Sequence, residues 1–324
     1  MRDPRDPRTR KPRWVVVLSG GEGERLKAMT QKWLGVHRPK QYCAFVGSRT
    51  MLEHTLDRAR VAVGPERIVT VIGRGHRAFV DPSNMPGKVI EQPANLDTAT
   101  GLLLGLSYIE AMEPDATVTV FPSDHFISPE GRFLQHVERS AILAERLSDR
   151  LVLLGAHSDR PETEFGWIEP GQSATSWGWS ARQVPHDVTS FREKPSEREA
   201  RDFYARGFLW NTMIMSAKAA VYHELTEKCI PDVAAQLQGA RELWAGPEPP
   251  DEEQEALTLL GIYRGLRRSN FSREVLQLCP NRTVVLPMAG VEWNDWGRPE
   301  RIGETLRRLS KRALIPLELL TSTG

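Results

Sequence analysis

Through the first half of the chain, short β-branched apolar runs alternate with longer stretches of helical period. The runs are Trp14 to Leu18, Arg67 to Ile72, Lys88 to Glu91, Thr117 to Phe121 and Leu151 to Gly155, and the helical patterns fall near residues 51–62, 97–112 and 129–147. Apolar runs of this kind suit strands covered on both faces, and helices of this length between them suit right-handed crossovers. The pattern predicts a mainly parallel sheet with helices on both sides and ligands at the carboxyl ends of its strands.

After residue 155 the rhythm changes. Phe165 to Gly171 reads as a turn, and Val188 to Lys194 and Phe208 to Ser216 read as strands of an insertion, the kind of segment that carries a second substrate. Residues 217–278 read as mainly helical, interrupted by the loop Gly246 to Asp251, with a further strand at Arg282 to Leu286 and a closing helix at Pro299 to Ala313. There is no internal repeat. The expected organisation is a basic, disordered arm at 1–13, one domain at 14–313 and a tail at 314–324.

Composition narrows the function classes. Lys and Arg total 43 against 42 Asp and Glu, so no global field draws the chain to nucleic acid or to an anionic membrane. No apolar run reaches the roughly 18 residues of a membrane span, and the N-terminus lacks the apolar stretch of a signal peptide. Cys43, Cys229 and Cys279 are odd in number and far apart, which argues against a disulfide framework or a thiolate zinc site. The expectation is a soluble protein of the cytoplasm; self-association into a homo-oligomer is left open.

The chemistry-bearing residues lie where strands end. Leu18-Ser-Gly-Gly-Glu-Gly-Glu-Arg-Leu26 follows the first strand, and Gly20, Gly21 and Gly23 allow backbone N–H groups to turn toward an anion. It is neither a dinucleotide fingerprint nor a P-loop, because Leu26 stands at the third glycine position and no G-K-[ST] is present. Arg25 and Lys40 offer two cations for a triphosphate tail. Asp124 follows the strand ending at Phe121, and Asp295 lies between Trp293 and Trp296. Two carboxylates far apart in sequence suit Mg²⁺, which needs only one or two protein carboxylates beside phosphate oxygens. The histidines form no H-E-x-x-H, and no G-x-S-x-G elbow occurs, so zinc and serine hydrolase chemistry have no anchor. His125, next to Asp124, reads as a packing or supporting group rather than a base. Trp177 and Trp179 could stack a base or a sugar, although packing is the usual role of tryptophan.

The order of these motifs resembles that of the sugar-nucleotide pyrophosphorylases, and within them the mannose-1-phosphate guanylyltransferases. The resemblance rests on Leu18 to Leu26, Pro39-Lys40-Gln41, Pro122 to His125, Pro161 to Gly171, Phe191 to Pro195, Leu209 to Thr212 and Trp293 to Gly297. It implies a Rossmann-like three-layer α/β/α nucleotide-diphospho-sugar transferase fold with a mainly parallel mixed sheet and a small antiparallel insertion. It implies transfer of a nucleoside monophosphate from a triphosphate, GTP, to a sugar 1-phosphate, mannose 1-phosphate, with release of pyrophosphate. By the same resemblance Asp124 and Asp295 hold Mg²⁺, Arg25 and Lys40 hold the departing pyrophosphate, and Gly20, Gly21 and Gly23 cradle the triphosphate. Lys194 takes the sugar phosphate, Gly166, Glu193 and Asn211 read sugar hydroxyls, and Gln92, Asn95 and Thr98 lie near base and ribose. Asp97 is either an acceptor for guanine N1–H and N2–H or a cap of the helix that starts there.

Three departures bear on that expectation. Glu24 stands where the family has Ser or Thr, Leu96 replaces an Arg, and Asp97 adds a carboxylate beside the base site. An active enzyme requires Glu24 to face outward, paired with Lys27 or Lys32. The alternatives are another base or sugar, or a catalytically silent relative that only binds a nucleotide-sugar.

Overall fold

The five apolar runs of the first half all form strands in a computed structural model, which describes residues 12–173 and 184–321. In chain order the strands are β1 (Arg13–Ser19), β2 (Ile68–Ile72), β3 (Lys88–Glu91), β4 (Thr117–Pro122), β5 (Phe126–Ser128), β6 (Leu151–His157), β7 (Gly166–Ser173), β8 (His186–Glu193), β9 (Leu209–Lys218), β10 (Thr283–Pro287) and β11 (Glu292–Asn294). The helices are α1 (Lys27–Leu34), α2 (Met51–Ala62), α3 (Asp97–Met112), α4 (Glu130–Arg146), α5 (Glu197–Ala205), α6 (Ala219–Cys229), α7 (Pro231–Ala245), α8 (Glu252–Tyr263) and α9 (Pro299–Arg308). The expected basic arm lies outside the described residues up to position 11, as do Trp177 and Trp179.

Among the described residues, nine strands form one sheet in the order β3-β2-β1-β4-β9-β6-β10-β8-β7. The β3, β2, β1 and β4 strands run parallel, as does the β6–β10 pair, while β9 is antiparallel to both β4 and β6. Alternation along β1 shows how the layers form. Val16 packs with Leu102, Leu106 and Ile109 of α3 on one face, whereas Val15 and Val17 pack with Leu52 and Leu56 of α2 and Val137 of α4 on the other. Helix α2 starts on a capping box, Thr50 with Glu53, which fixes its entry point. The three-layer fold is therefore as expected. Among the described residues, no helix is long and apolar enough to cross a membrane.

Several local expectations change. The Phe165–Gly171 turn is the start of β7: Trp167 and Ile168 are fully buried and pair with both β8 and β9, and the turn-like Pro170-Gly171 only shifts the register of the β7–β8 ladder. Of the two expected insertion strands, β8 extends the main sheet next to its β7 edge, whereas β9 lies inside it between β4 and β6. The closing helix stops at Arg308 rather than Ala313, where Ser310 takes a left-handed φ of 50°. Beyond residue 313, Ile315 and Leu320 pack against Trp296, Ile302 and Leu306. Cys229 and Cys279, distant in sequence, are free thiols 3.2 Å apart.

Candidate active site

The loop at the end of β1 requires glycine at two of its positions, Gly20 and Gly23. A Cβ on Gly20 would lie 1.9 Å from Gln92 Nε2, and Gly23 has a φ of 68°, a conformation that glycine adopts without strain. Gln41 fastens the loop from behind, its Nε2 donating to Ser19 O at 3.2 Å and Gly21 O at 2.7 Å, while the Tyr42 hydroxyl donates to Ser19 O at 3.1 Å. Glu24 faces away: its side chain is 65% exposed and its Oε2 lies 3.3 Å from Lys27 Nζ. Such a pair is worth at most about 1 kcal/mol. Glu24→Thr is therefore expected to change the triphosphate KM by less than about threefold in steady-state kinetics. A gain of tens of times in affinity would mean that the carboxylate opposes the ligand.

A cavity of about 480 Å³ opens over this loop. Its lining includes Gly20, Gly21 and Arg25 of the loop, Gln92, which meets Gly20, then Asn95, Asp97 and Thr98, and Asp124 with His125. Helix α3 begins on Asp97, whose φ is 73°. Its Oδ1 accepts from Thr98 N at 2.7 Å and from Asn270 Nδ2 at 3.0 Å, and its own N–H donates to Asn95 Oδ1 at 3.1 Å. Leu96, not Asp97, is the N-cap of α3 and no side chain caps the helix, so the Asp97 carboxylate holds only the adjacent Thr98 N–H and Asn270 while bordering the cavity.

The two acids meet at one lysine. Lys40, buried, places Nζ 3.0 Å from Asp124 Oδ2 and also donates to the backbone carbonyl of Asp295. Lys40 itself does not line the cavity, a placement that its pairing with Arg25 on chemistry does not suggest. Asp295 accepts from Arg301 Nη1 at 2.9 Å, from Gly297 N at 3.0 Å and from Arg25 Nη2 at 3.2 Å. Burial alone would raise its pKa, but Lys40, Arg301, Arg25 and the Gly297 N–H together hold it at about 2. Asp124 is likewise held below the usual carboxylate value, with burial opposed by Lys40 and His125. His125 accepts from Trp293 Nε1 at Nδ1, 3.2 Å away, so its proton sits on Nε2, 3.6 Å from Asp124 Oδ1. Burial depresses its pKa to about 4, leaving it neutral.

The residues expected around the sugar also come together. Gly166 pairs with Glu193 across β7 and β8, and a Cβ on Gly166 would lie 2.7 Å from Glu193 Oε2 and 3.2 Å from Asn211 Cβ. Burial pushes the Glu193 carboxyl up, against the pull of Lys194 and Arg273. Lys194 has a φ of 49° and donates its N–H to Phe165 O at 3.1 Å. Asn211 connects this group to the cavity, since its Oδ1 accepts from the N–H of Met213, a lining residue.

Sequence reasoning missed several supports. Arg301 joins Asp295 to Glu162 at 2.5 Å and Glu164 at 3.0 Å, Ser272 Oγ accepts from Asn211 Nδ2 at 3.2 Å, and Gln277 Oε1 accepts from Glu193 N at 3.0 Å. Only Glu162 and Glu164 carry a signal, as unexplained acids inside the Pro161–Gly171 motif. Among the described residues, no three metal-ligating side chains cluster, so any ion bound here would take most of its ligands from elsewhere.

Fold and site together define an α/β protein with a glycine loop and paired carboxylates at the strand ends. The model of the nucleotidyl transferase family matches residues 14–311, and the chain belongs to that family. It is 30% identical over 227 residues to the alginate biosynthesis protein AlgA of Pseudomonas aeruginosa, a match covering 67% of this chain and 44% of that protein. It is also 30% identical to a mannose-1-phosphate guanylyltransferase of Escherichia coli, over 68% of this chain and 46% of the relative. The matched region thus spans a little under half the length of these relatives. A solved structure of a Thermus thermophilus protein, described as a mannose-1-phosphate geranyltransferase, superposes with a TM-score of 0.73 at 26% identity, over 90% of this chain and 78% of the other.

Proposed function

We propose that the protein transfers a nucleoside monophosphate from GTP to mannose 1-phosphate, forming GDP-mannose and pyrophosphate. The observation that carries this reading is the meeting of Asp124 and Asp295 at Lys40, with Asp124 lining the cavity over the glycine loop. Guanine and mannose are suggested by the names of the relatives and by Asp97 and Glu193.

A phosphate oxygen of the sugar attacks the α-phosphorus in line as pyrophosphate leaves, so the protein's tasks are positioning and neutralisation of charge. In this reading the N–H groups of the Gly20–Gly23 loop and the half-exposed guanidinium of Arg25 would hold the triphosphate, and Lys194 the sugar phosphate. Both carboxylates are ionised hard donors, a set that fits Mg²⁺, and Asp124 and Asp295 would hold it. When bound, the ion supplies positive charge against the phosphates and the developing charge of the transition state. Lys40 fixes both acids relative to each other, and neutral His125 steadies Asp124.

The test is pyrophosphate release from GTP, ATP, UTP and dTTP, each against mannose and glucose 1-phosphate. GTP with mannose 1-phosphate is expected to give the highest kcat/KM. The two sugars differ in one hydroxyl, and a site that hydrogen-bonds it rejects the epimer because a buried polar group is left unpaired. Equal or higher kcat/KM with glucose 1-phosphate overturns the sugar assignment, and no release with any pair leaves a binding protein only.

A further inference from the structure

The segment after α8 brings a further cation to the cavity, one outside every motif noted in the sequence. Arg267 is fully engaged: Nε donates to Asp232 Oδ2 and Nη1 to Glu274 Oε2, both at 2.6 Å, and Nη1 also reaches the Arg268 carbonyl at 3.1 Å. Ser269 is bonded on both sides to the start of α3, its N–H to Leu96 O and its carbonyl to Ala99 N, each at 3.0 Å. Asn270 and Phe271 add bonds to Asp97 and to Thr98 Oγ1. The backbone that carries Arg268 is therefore fixed against the start of α3, and Arg268 lines the cavity together with Asp97 and Thr98. Among the described residues, its guanidinium has no hydrogen bond and no ion pair. It enters next to Leu96, the position at which this chain lacks the family's Arg.

We propose that Arg268 is a specificity-determining residue for the nucleobase, donating in a fork to O6 and N7 of guanine while Asp97 accepts from N1–H and N2–H. This rests on reading the cavity as a nucleotide site. Guanine presents two adjacent acceptors to a guanidinium and two adjacent donors to a carboxylate; adenine places an amino donor where guanine has O6, opposing the guanidinium. Asp97 is suited to its half of the task, because Oδ1 is held by Thr98 and Asn270 while Oδ2 has no partner among the described residues.

Calorimetric binding of GTP and ATP to the wild type, Arg268→Ala and Arg268→Lys tests this without requiring turnover. Wild type is expected to bind GTP more tightly than ATP. Arg268→Ala should weaken GTP by at least about fivefold, the low end for a bidentate base contact, and leave ATP within about twofold. Arg268→Lys should behave like the alanine variant, since a point charge lacks the fork. Equal weakening of GTP and ATP would assign Arg268 to the phosphates and overturn the proposal, as would unchanged GTP binding, full rescue by lysine or a wild type without a preference for GTP. A wild type that binds GTP selectively through Arg268 yet releases no pyrophosphate would sink the transferase reading and leave this inference standing.

Discussion

Asp124→Asn is expected to lower turnover at least roughly hundredfold while the fold stays intact. The proposed reaction has no protein nucleophile, so its barrier would be reduced by positioned charge, and an amide in place of a carboxylate removes one full charge from the centre. Asp124 is the cleaner of the two acids for this test. Its side chain is 38% exposed, and Lys40 is its only ion-pair partner at hydrogen-bond distance among the described residues, whereas Asp295 is tied to Arg25, Arg301 and Gly297. Asp295→Asn should lose turnover to a similar degree but at a cost in stability, because the new amide nitrogen would face a guanidinium. The measurement is kcat for pyrophosphate release with varied Mg²⁺, alongside circular dichroism. Near-normal, Mg²⁺-dependent turnover in a folded Asp124→Asn protein would remove this residue from the metal assignment. If excess Mg²⁺ restores the rate, the loss lies in ion affinity; if not, it lies in the charge of the transition state.

What the chain reveals on its own depends on how locally each feature is encoded. The strands β1 to β4 and β6 are β-branched runs closed by turn residues, so local pattern alone locates their ends, and with them Gly20 and Asp124. Strand β7 escapes that reading, because Pro170-Gly171 has the local signature of a turn, and only pairing of Trp167 with both Arg192 and Trp210 makes the segment extended. Glu24 faces outward as expected, since burying its charge in the glycine loop would oppose any anion. Chemistry alone groups Lys40 with Arg25; its position between two acids depends on residues more than eighty and two hundred and fifty positions away, which no local pattern records. Arg268, Ser272 and Gln277 are invisible for the same reason. They come beside Leu96, Asn211 and Glu193 only through long-range contacts of the segment after α8.

Arg301 gives the largest expected effect on stability. It is buried on α9, and its guanidinium holds three carboxylates, with Nη1 on Asp295 at 2.9 Å and Nη2 on Glu162 at 2.5 Å and Glu164 at 3.0 Å, while its carbon lies 4.8 Å from the Phe165 ring centre. Arg301→Met keeps much of the volume but leaves Glu162, whose side chain is only 12% exposed, with the Glu164 N–H as its remaining hydrogen-bond donor among the described residues. Removing one member of a buried ionic network costs about 3 to 5 kcal/mol, chiefly because the partner charges stay buried. Exposed pairs such as Arg201 with Glu197 have no comparable effect, so Arg201→Met serves as a control within about 0.5 kcal/mol. Acid should separate the two further. Asp295, held at about 2, contributes stability that is fully present above the unfolded carboxylate value and is lost as the pH falls toward 2. Without Arg301 its folded pKa rises, the contribution shrinks, and the acid limb of the stability curve moves to higher pH. Urea unfolding at pH 7 and across the range from about 5 to 2 measures both effects. A loss below about 1 kcal/mol at pH 7, with an unchanged acid limb, would mean that solvent already satisfies these carboxylates and that the network does not hold Asp295 in place.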